Sequence, residues 1–247
     1  MTDNLYKAQD QLLARIFPRL DQLTIPDCIL AGGTALARYY LQHRISYDLD
    51  FFVGHAFHPE KLAIQLGSIG IHLSDVNVQA DGKWANQLHA YALVDEELIK
   101  VSFIEDLYVD MWPIQTFGVV VTEQIGGLYH RKLRTISGTG YGKQTAGARQ
   151  TARDLVDVFV LNERIAQIGS FVEQANTQGA NFPLDALSAN LLAMPWFDLV
   201  DEFERLSLLP PHNTLSLIGD IKPALVAQAL AMQGIGSIGS IGSIGSA

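Results

Sequence analysis

Two aspartates one residue apart, Asp48 and Asp50, are the residues of this sequence best suited to chemistry. They fall in a run that continues as Phe51-Phe52-Val53, and that run predicts a buried strand. Because side chains two residues apart project from the same face of a strand, the two carboxylates are predicted to project side by side. Adjacent carboxylates repel unless a cation or hydrogen-bond donors lie between them. The pair therefore indicates a site for an oxygen-preferring metal such as Mg²⁺, or else two solvated acids on an edge strand.

A glycine pair precedes these acids, directly after the apolar strand predicted over residues 28–31. Gly32 and Gly33 allow the backbone to approach a ligand closely, and Thr34 is predicted to cap a helix over residues 34–42. A helix N-terminus attracts anions, so phosphates could lie at this turn while the acids hold a bridging metal. A metal that neutralises phosphate oxygens and orients an attacking hydroxyl is the core of phosphoryl or nucleotidyl transfer.

The elements that must position these residues predict an α+β fold in two parts. In the first part we expect a mixed sheet with flanking helices, and in the second an α-helical C-terminal region. The first part has predicted helices at 5–20 and 59–66 and predicted strands at 46–53, from 71, at 88–93, 99–103 and 119–121. The second part has predicted helices at 152–161, 163–177, 184–207 (with a break at Pro195) and 222–232. The predicted segments are residues 1–121, 122–233 and a tail at 234–247.

Composition limits the kinds of partner that the chain can take. Of its 247 residues 48% are hydrophobic, and the formal charge of −9 disfavours broad binding to nucleic acid, although a local basic groove stays open. The single cysteine, Cys28, cannot form an intrachain disulfide, which suits a reducing cytoplasm. With no apolar run long enough to cross a bilayer, we expect a cytoplasmic protein without a membrane partner. The tail repeats glycine at every third residue, which predicts a flexible segment without a catalytic role.

The motifs, in this order, resemble the AbiEii/AbiGii toxin family of nucleotidyltransferases within the DNA polymerase β-like superfamily. The resemblance begins in the segments Gly32-Gly33-Thr34-Ala35-Leu36 and His43-Arg44-x-Ser46-x-Asp48-Leu49-Asp50-Phe51-Phe52. Thr34 stands where the superfamily usually has serine, and it keeps the hydroxyl. Further along, Lys132 resembles the family's phosphate-side lysine, and the segment from Arg149 to Phe159 resembles its RDxxD-type helix.

The resemblance implies a nucleotidyltransferase fold and a role for each matching residue. Asp48 and Asp50 would bind Mg²⁺ or Mn²⁺, and Lys132 would join them as a catalytic residue by neutralising the triphosphate. The implied nucleotide-binding residues are Gly32, Gly33, Thr34, Arg44, Lys100, Arg153 and Asp154. The resemblance also implies an NTP donor, an RNA (tRNA-like) or protein acceptor, and a cognate antitoxin, as expected for the toxin of a toxin–antitoxin or phage-defence system.

The chain departs from the family at the second motif. There the family has Lys-x-Asp on a strand, and its aspartate is the third active-site carboxylate, whereas this chain has Lys100-Val101-Ser102. Serine does not accept the proton of an attacking hydroxyl at neutral pH. Three explanations stay open: Glu105 or Asp106 reaches the site, the substrate assists its own deprotonation, or the protein binds nucleotide with weak or no transfer. A module that only docks a partner is the remaining alternative.

For several of the charged residues, a structural role is an alternative to contact with the nucleotide. Arg44 either contacts phosphate or pairs with an acid of the RDxxD-type helix. Arg153 and Asp157 are four residues apart, so they either stabilise their helix as an ion pair or support Lys132. Lys100 either faces the phosphates or is a solvated strand residue.

Overall fold

The computed structural model describes residues 2–80, 82–138 and 150–234. The residues group into two compact units, Met1–Leu128 and Tyr129–Ala247. Arg149 and residues 235–247 of the predicted tail lie outside the described residues. The domain boundaries predicted after residues 121 and 233 stay predictions.

The first unit is built on a mixed sheet that has seven strands within the described residues. The strands are β1 (Ile29–Ala31), β2 (Leu49–Val53), β3 (Leu73–Gln79), β4 (Gln87–Val94), β5 (Glu97–Glu105), β6 (Ile114–Phe117) and β7 (Val120–Glu123). They lie side by side in the order β3-β4-β5-β2-β1-β7-β6. The pairs β2–β5 and β1–β7 are parallel, and the other neighbouring pairs are antiparallel.

Helices of the first unit lie before and between these strands. They are α1 (Thr2–Ile16), α2 (Gly32–Ala35), which continues as a π-helix over Leu36–Leu41, and α3 (Pro59–Ser68). Two 3₁₀ turns, Phe17–Arg19 and Val109–Met111, complete the set. Within the described residues, no helix of either unit is long and apolar enough to cross a bilayer.

One face of the central strands carries the apolar core. In β2, Leu49, Phe51 and Val53 are buried, while Asp50 between them is only half-buried. The Phe51 ring stacks on that of Phe103 in β5, with centroids 4.6 Å apart. Since alternate residues face opposite sides, this packing turns Asp50 to the other face of the sheet. We call that side of β2, β5 and β4 the polar face; its residues with polar side chains include Asp50, Lys100, Ser102, Gln87 and His89.

Among its described residues, the second unit is mainly helical. Its helices are the greater part of α4 (Ile125–Ser137), then α5 (Ala152–Arg164), α6 (Ile168–Thr177), α7 (Leu184–Leu192), α8 (Val200–Glu204), a 3₁₀ turn His212–Thr214, a π-helical segment Leu217–Ile221 and α9 (Lys222–Met232). Helix α5 is buried along most of its length, so it forms the centre of this unit. The Ser188 hydroxyl of α7 donates a hydrogen bond to the Ala229 carbonyl of α9 (2.9 Å).

The predicted α+β class, with a mixed sheet followed by a helical region, is confirmed. Strand β6 was not predicted, since its four residues show no apolar alternation. The helix predicted over 163–177 begins only at Ile168, whose backbone N–H donates to the Asn162 side chain (3.1 Å). The helix predicted over 184–207 is two helices, α7 and α8, separated around Pro195.

Two predictions near the glycine turn are wrong in detail. The helix after β1 begins at Gly32 with Ala31 as its N-cap, so Thr34 lies inside the helix and does not cap it. Gly32 has a φ of +67°, a conformation that glycine adopts at little cost, and the chain therefore turns into the helix two residues early. Strand β2 begins at Leu49, so Asp48 precedes the strand that was predicted to contain it.

Candidate functional site

The two glycines of the turn between β1 and α2 have different close neighbours. A Cβ atom at Gly32 would overlap the Asp50 carboxylate, and one at Gly33 would overlap the Arg44 guanidinium. The Cβ at Gly33 would also lie 3.2 Å from the Ser46 hydroxyl oxygen. Because glycine has no side chain, the Asp50 carboxylate and the Arg44 guanidinium can both lie directly against the backbone of this turn.

Asp50 owes its position to two neighbouring strands. It is opposite Ala31 in the antiparallel pair of β2 with β1, and opposite Ser102 in the parallel pair with β5. Because both flanks of β2 are paired, the backbone that carries this carboxylate cannot shift without breaking two ladders. Asp50 therefore has a defined place beside the glycine turn.

Arg44 is only 4% exposed, which is unusual for an arginine. One of its guanidinium nitrogens donates to the Ile45 carbonyl (3.1 Å), and another lies against Gly33. A buried guanidinium charge requires hydrogen bonds or negative charge around it. Its place at the turn is compatible with the predicted phosphate contact, which stays a prediction.

Asp48 is held just outside β2 by side chains of helices α1 and α2. The Thr34 hydroxyl donates to the Asp48 carbonyl, and the Gln9 side-chain amide donates to the carbonyls of Ser46 (3.0 Å) and Tyr47 (3.1 Å). The carbonyls of residues 46–48 thus accept hydrogen bonds from side chains. They are not used for pairing with a neighbouring strand, which explains why β2 begins at Leu49 and not at residue 46. Asp48 is half-buried and is separated from Asp50 by the buried Leu49.

Ser102 occupies the polar face of the sheet next to Asp50. It is 3% exposed and is paired with Asp50 on one side and with His89 of β4 on the other. Lys100, two residues earlier on β5, shares this face and is half-buried. The strand position at which the resemblance predicts a third acid therefore lies beside Asp50, and it carries a hydroxyl.

The two acids at the end of β5 have local partners. The Glu105 carboxylate accepts a hydrogen bond from the Asn86 backbone N–H (3.0 Å), and Glu105 is three residues from Ser102, so its side chain projects to the opposite face. The Asp106 carboxylate accepts from the Tyr108 backbone N–H (2.7 Å). This geometry disfavours the explanation in which one of them replaces the third carboxylate.

In the second unit, Lys132 of α4 lies between two carboxylates of α5. Its ammonium nitrogen is 2.7 Å from a carboxylate oxygen of Asp154 and 2.7 Å from one of Asp157. Both aspartate side chains are fully buried and the lysine nearly so. Because residues three apart share a face of a helix, α5 presents the two acids together, and they orient the lysine. Arg153, the neighbouring residue, is half-buried.

Thr151 is a contributor that the sequence analysis did not single out. It is the N-cap of α5, where its hydroxyl accepts from the Asp154 backbone N–H (3.3 Å) and donates to the Asp154 carboxylate (2.6 Å). The signal was present in the sequence, since threonine three residues before an acid and ahead of an apolar run is typical of a helix start. Gln9 had no such signal, because its contacts lie 37 and 38 residues away.

The predicted site residues thus form two groups, one in each unit. In the first unit, the structure brings together the glycine turn, Thr34, Arg44, Asp48 and Asp50, with Lys100 on the neighbouring strand. In the second unit it joins Lys132 to Asp154 and adds Asp157. That these groups bind metal and nucleotide stays a prediction at this point.

A comparison with protein families finds one match in the first unit. Residues 12–83 match the family described as the nucleotidyl transferase AbiEii toxin of a type IV toxin–antitoxin system. The expected resemblance to AbiEii nucleotidyltransferases is therefore confirmed. The matched segment includes the glycine turn, Arg44, Asp48 and Asp50, and it ends before Lys100. A comparison with curated proteins found no match.

Solved structures with a similar fold include JHP933 from Helicobacter pylori, at 19% identity and a TM-score of 0.52, covering 94% of this chain and 93% of that one. At this identity the likeness shows the shared fold alone. A putative nucleotidyltransferase from H. pylori has 20% identity, a TM-score of 0.48 and coverage of 89% and 94%. MenT4, a nucleotidyltransferase toxin from Mycobacterium tuberculosis, has 16% identity, a TM-score of 0.49 and coverage of 95% and 87%. The last two scores are too low to add to the argument.

Proposed function

We propose that this protein is a metal-dependent nucleotidyltransferase that transfers NMP from an NTP to an RNA or protein acceptor, as a toxin with a cognate antitoxin. The observation that carries the proposal is the glycine turn, where the Asp50 carboxylate and the Arg44 guanidinium lie against adjacent glycines. The proposal assigns the metal to this carboxylate and a phosphate to this guanidinium, and both groups lie at one backbone turn. The same segment matches the AbiEii family.

The acids fit a hard divalent cation. Asp48 and Asp50 supply carboxylate oxygens, the ligands that Mg²⁺ and Mn²⁺ prefer, and the Asp50 carboxylate lies against the turn, where a Cβ at Gly32 would overlap it. Among the described residues, no group of three or more His, Cys, Asp or Glu side chains could hold a metal ion. A Mg²⁺ ion held by two acids takes its other ligands from water and substrate phosphates, which is its usual mode of binding. When bound, the metal would neutralise phosphate oxygens and orient the attacking hydroxyl.

The remaining residues divide into phosphate contacts and supports. Arg44 and Lys100 would neutralise phosphate charge from the first unit, and Gly33 and Thr34 would line the turn. Lys132 would neutralise the triphosphate, with Asp154 and Asp157 as the acids that orient its ammonium group. Arg153 would contact nucleotide from the start of the same helix.

The test is transfer of label from each NTP, with Mg²⁺, to total cellular RNA or protein. We expect one nucleotide to label an acceptor, and Asp50→Asn to reduce the rate by about 100-fold or more, because charge stabilisation at the reacting phosphate is lost. Asp21→Asn is the matched control, since Asp21 is an exposed acid of the same unit and should leave the rate unchanged. Transfer at the wild-type rate by Asp50→Asn would contradict the proposed site.

Ser102 supports a second candidate, a nucleotide-binding protein without transfer. Calorimetry with each NTP and Mg²⁺ distinguishes the two functions. Tight binding of an NTP with no label on any RNA or protein would favour the second candidate, and no NTP binding would favour a docking module. Slower growth on expression, relieved by a neighbouring gene product and absent in Asp50→Asn, would support the toxin assignment.

A further inference from the structure

On the polar face of the sheet, three directly paired residues extend from Asp50, the proposed metal ligand, through Ser102 to His89. Reading across the strands, Asp50 of β2 is paired with Ser102 of β5, which is paired with His89 of β4, which is paired with Asn77 of β3. Directly paired residues project from the same face, with Cβ atoms about 5 Å apart. The small side chain of Ser102 therefore lies between a carboxylate and an imidazole.

The imidazole of His89 has a partner on one of its two nitrogens. Its Nε2 atom is 2.8 Å from the Gln87 side-chain oxygen on the same strand. With that amide oxygen as the acceptor, the proton is assigned to Nε2 and the lone pair to Nδ1. Nδ1 is buried, and among the described residues it has no hydrogen-bond partner. A buried acceptor without a partner is uncommon in folded proteins.

Burial and the Lys100 ammonium favour the neutral form of the His89 ring. Burial lowers the pKa of His89 most, and the Lys100 ammonium lowers it further, while the Asp50 carboxylate acts in the opposite direction. Among the described residues, its strand partners Ser102 and Asn77 and its hydrogen-bond partner Gln87 are uncharged. A neutral imidazole is the form that accepts a proton.

We infer that His89 is the proton acceptor of the transfer reaction. It would replace the third carboxylate, because this chain has Ser102 at the position where the family has an aspartate. The inference rests on the proposed function. The acceptor hydroxyl would lie over Ser102, between Asp50 on one flank and the Nδ1 atom of His89 on the other. The longer side chain of histidine compensates for its position one strand farther from Asp50, since neighbouring strands are about 4.8 Å apart.

The proposed transfer step requires only the NTP, the acceptor hydroxyl and His89. The acceptor oxygen attacks the α-phosphorus of the NTP, and a new O–P bond forms as the bond from that phosphorus to the α–β bridging oxygen breaks. Pyrophosphate leaves with the electron pair of the broken bond. The hydroxyl proton moves to Nδ1, which gives an imidazolium that later releases it to solvent.

The experiment compares His89→Ala and His89→Gln with the wild type in the transfer assay. We expect kcat to fall by about 100-fold or more, the usual contribution of a general base, while the calorimetric affinity for Mg²⁺-NTP stays unchanged. Tyr91→Phe is the matched control, because Tyr91 is the next residue on the same face of β4 and is paired with Lys100. It should keep the wild-type kcat.

Rescue separates a proton-accepting role from a structural one. Adding Ser102→Asp to His89→Ala restores a carboxylate next to Asp50, and we expect kcat to recover at least tenfold. The acid limb of the kcat–pH profile should lie below the ordinary histidine pKa in the wild type and should move towards that of an aspartate in the double variant. NMR of the wild type near neutral pH should show His89 neutral with the proton on Nε2.

The outcomes distinguish this inference from the proposed function. Transfer that is lost in Asp50→Asn but retained in both His89 variants, with an unchanged pH profile, would overturn the inference and leave the function intact. A charged His89 at neutral pH would overturn it as well. Absence of transfer by the wild type with every NTP would overturn both.

Discussion

Replacing Gly32 should have two effects: strain in the backbone and displacement of the Asp50 side chain. Comparison with Gly70 distinguishes the two. Its φ is +67°, and a Cβ there would overlap the Asp50 carboxylate. Gly70 has a φ of +80° but has open space around its own Cβ position. Both glycines therefore have a positive φ, but only at Gly32 would an added side chain overlap a neighbouring residue.

We predict that Gly32→Ala lowers the free energy of unfolding by more than Gly70→Ala and also abolishes transfer. The left-handed conformation alone costs alanine about 1–2 kcal/mol, which Gly70→Ala should show in urea unfolding with transfer unchanged. Gly32→Ala adds the displacement of Asp50, so its loss of stability should be larger. Equal losses in the two variants, with transfer retained in both, would show that the Asp50 contact with the turn has no consequence.

Helices α4 and α5 are joined by a buried group of one cation and two anions. Lys132 contacts Asp154 and Asp157 at 2.7 Å each, and none of the three side chains is more than slightly exposed. A buried carboxylate requires an opposite charge or hydrogen bonds, and the Lys132 ammonium contacts both of these carboxylates. The helix pair thus depends on electrostatics as well as on the apolar side chains of α5.

We predict that Lys132→Met lowers the free energy of unfolding by about 3–5 kcal/mol, because two buried carboxylates lose the ammonium group that contacts them both. Lys61→Met is the control, since Lys61 is exposed on α3 and should change stability by less than about 0.5 kcal/mol. Asp157→Asn in the Lys132→Met background should recover part of the loss, since it removes one of the two buried negative charges. A Lys132→Met variant as stable as the wild type in urea would contradict this account.

At the scale of the whole molecule, the sequence changes from mixed composition to a repetitive C-terminal segment. Residues 235–247 consist of glycine, serine and isoleucine with one final alanine. Glycine at every third position makes ordering costly in backbone entropy. Nothing in the proposed chemistry uses these residues.

We predict that a chain ending at Gly234 unfolds at the same urea midpoint as the full chain and transfers label at the same rate. The measurement is urea unfolding together with the transfer assay on both chains. A chain ending at Glu204 is the contrasting control, because it lacks α9, whose Leu225 and Ala229 are buried, and it should lose the cooperative transition of the second unit. A lowered midpoint or rate for the chain ending at Gly234 would assign the tail a role that its composition does not predict.

Elements with a strong local signal were predictable from the sequence. The central strands of the sheet and helices α3, α5 and α9 follow from apolar periodicity, and the turn follows from its two glycines. The boundaries that failed depend on long-range contacts. Gln9 and Thr34 take backbone carbonyls of residues 46–48, and no local pattern shows that β2 must start after them.

The sequence by itself determined the residue types of the site: two acids, a glycine turn, a lysine and the RDxxD-type helix, all carried by short motifs. Through the resemblance, it also predicted that Ser102 stands where the family has its third acid. Only the tertiary structure decided what lies beside these residues, because strand register and helix packing join positions far apart in the chain. Register placed Ser102 between Asp50 and His89, and packing of α4 on α5 placed Lys132 between Asp154 and Asp157.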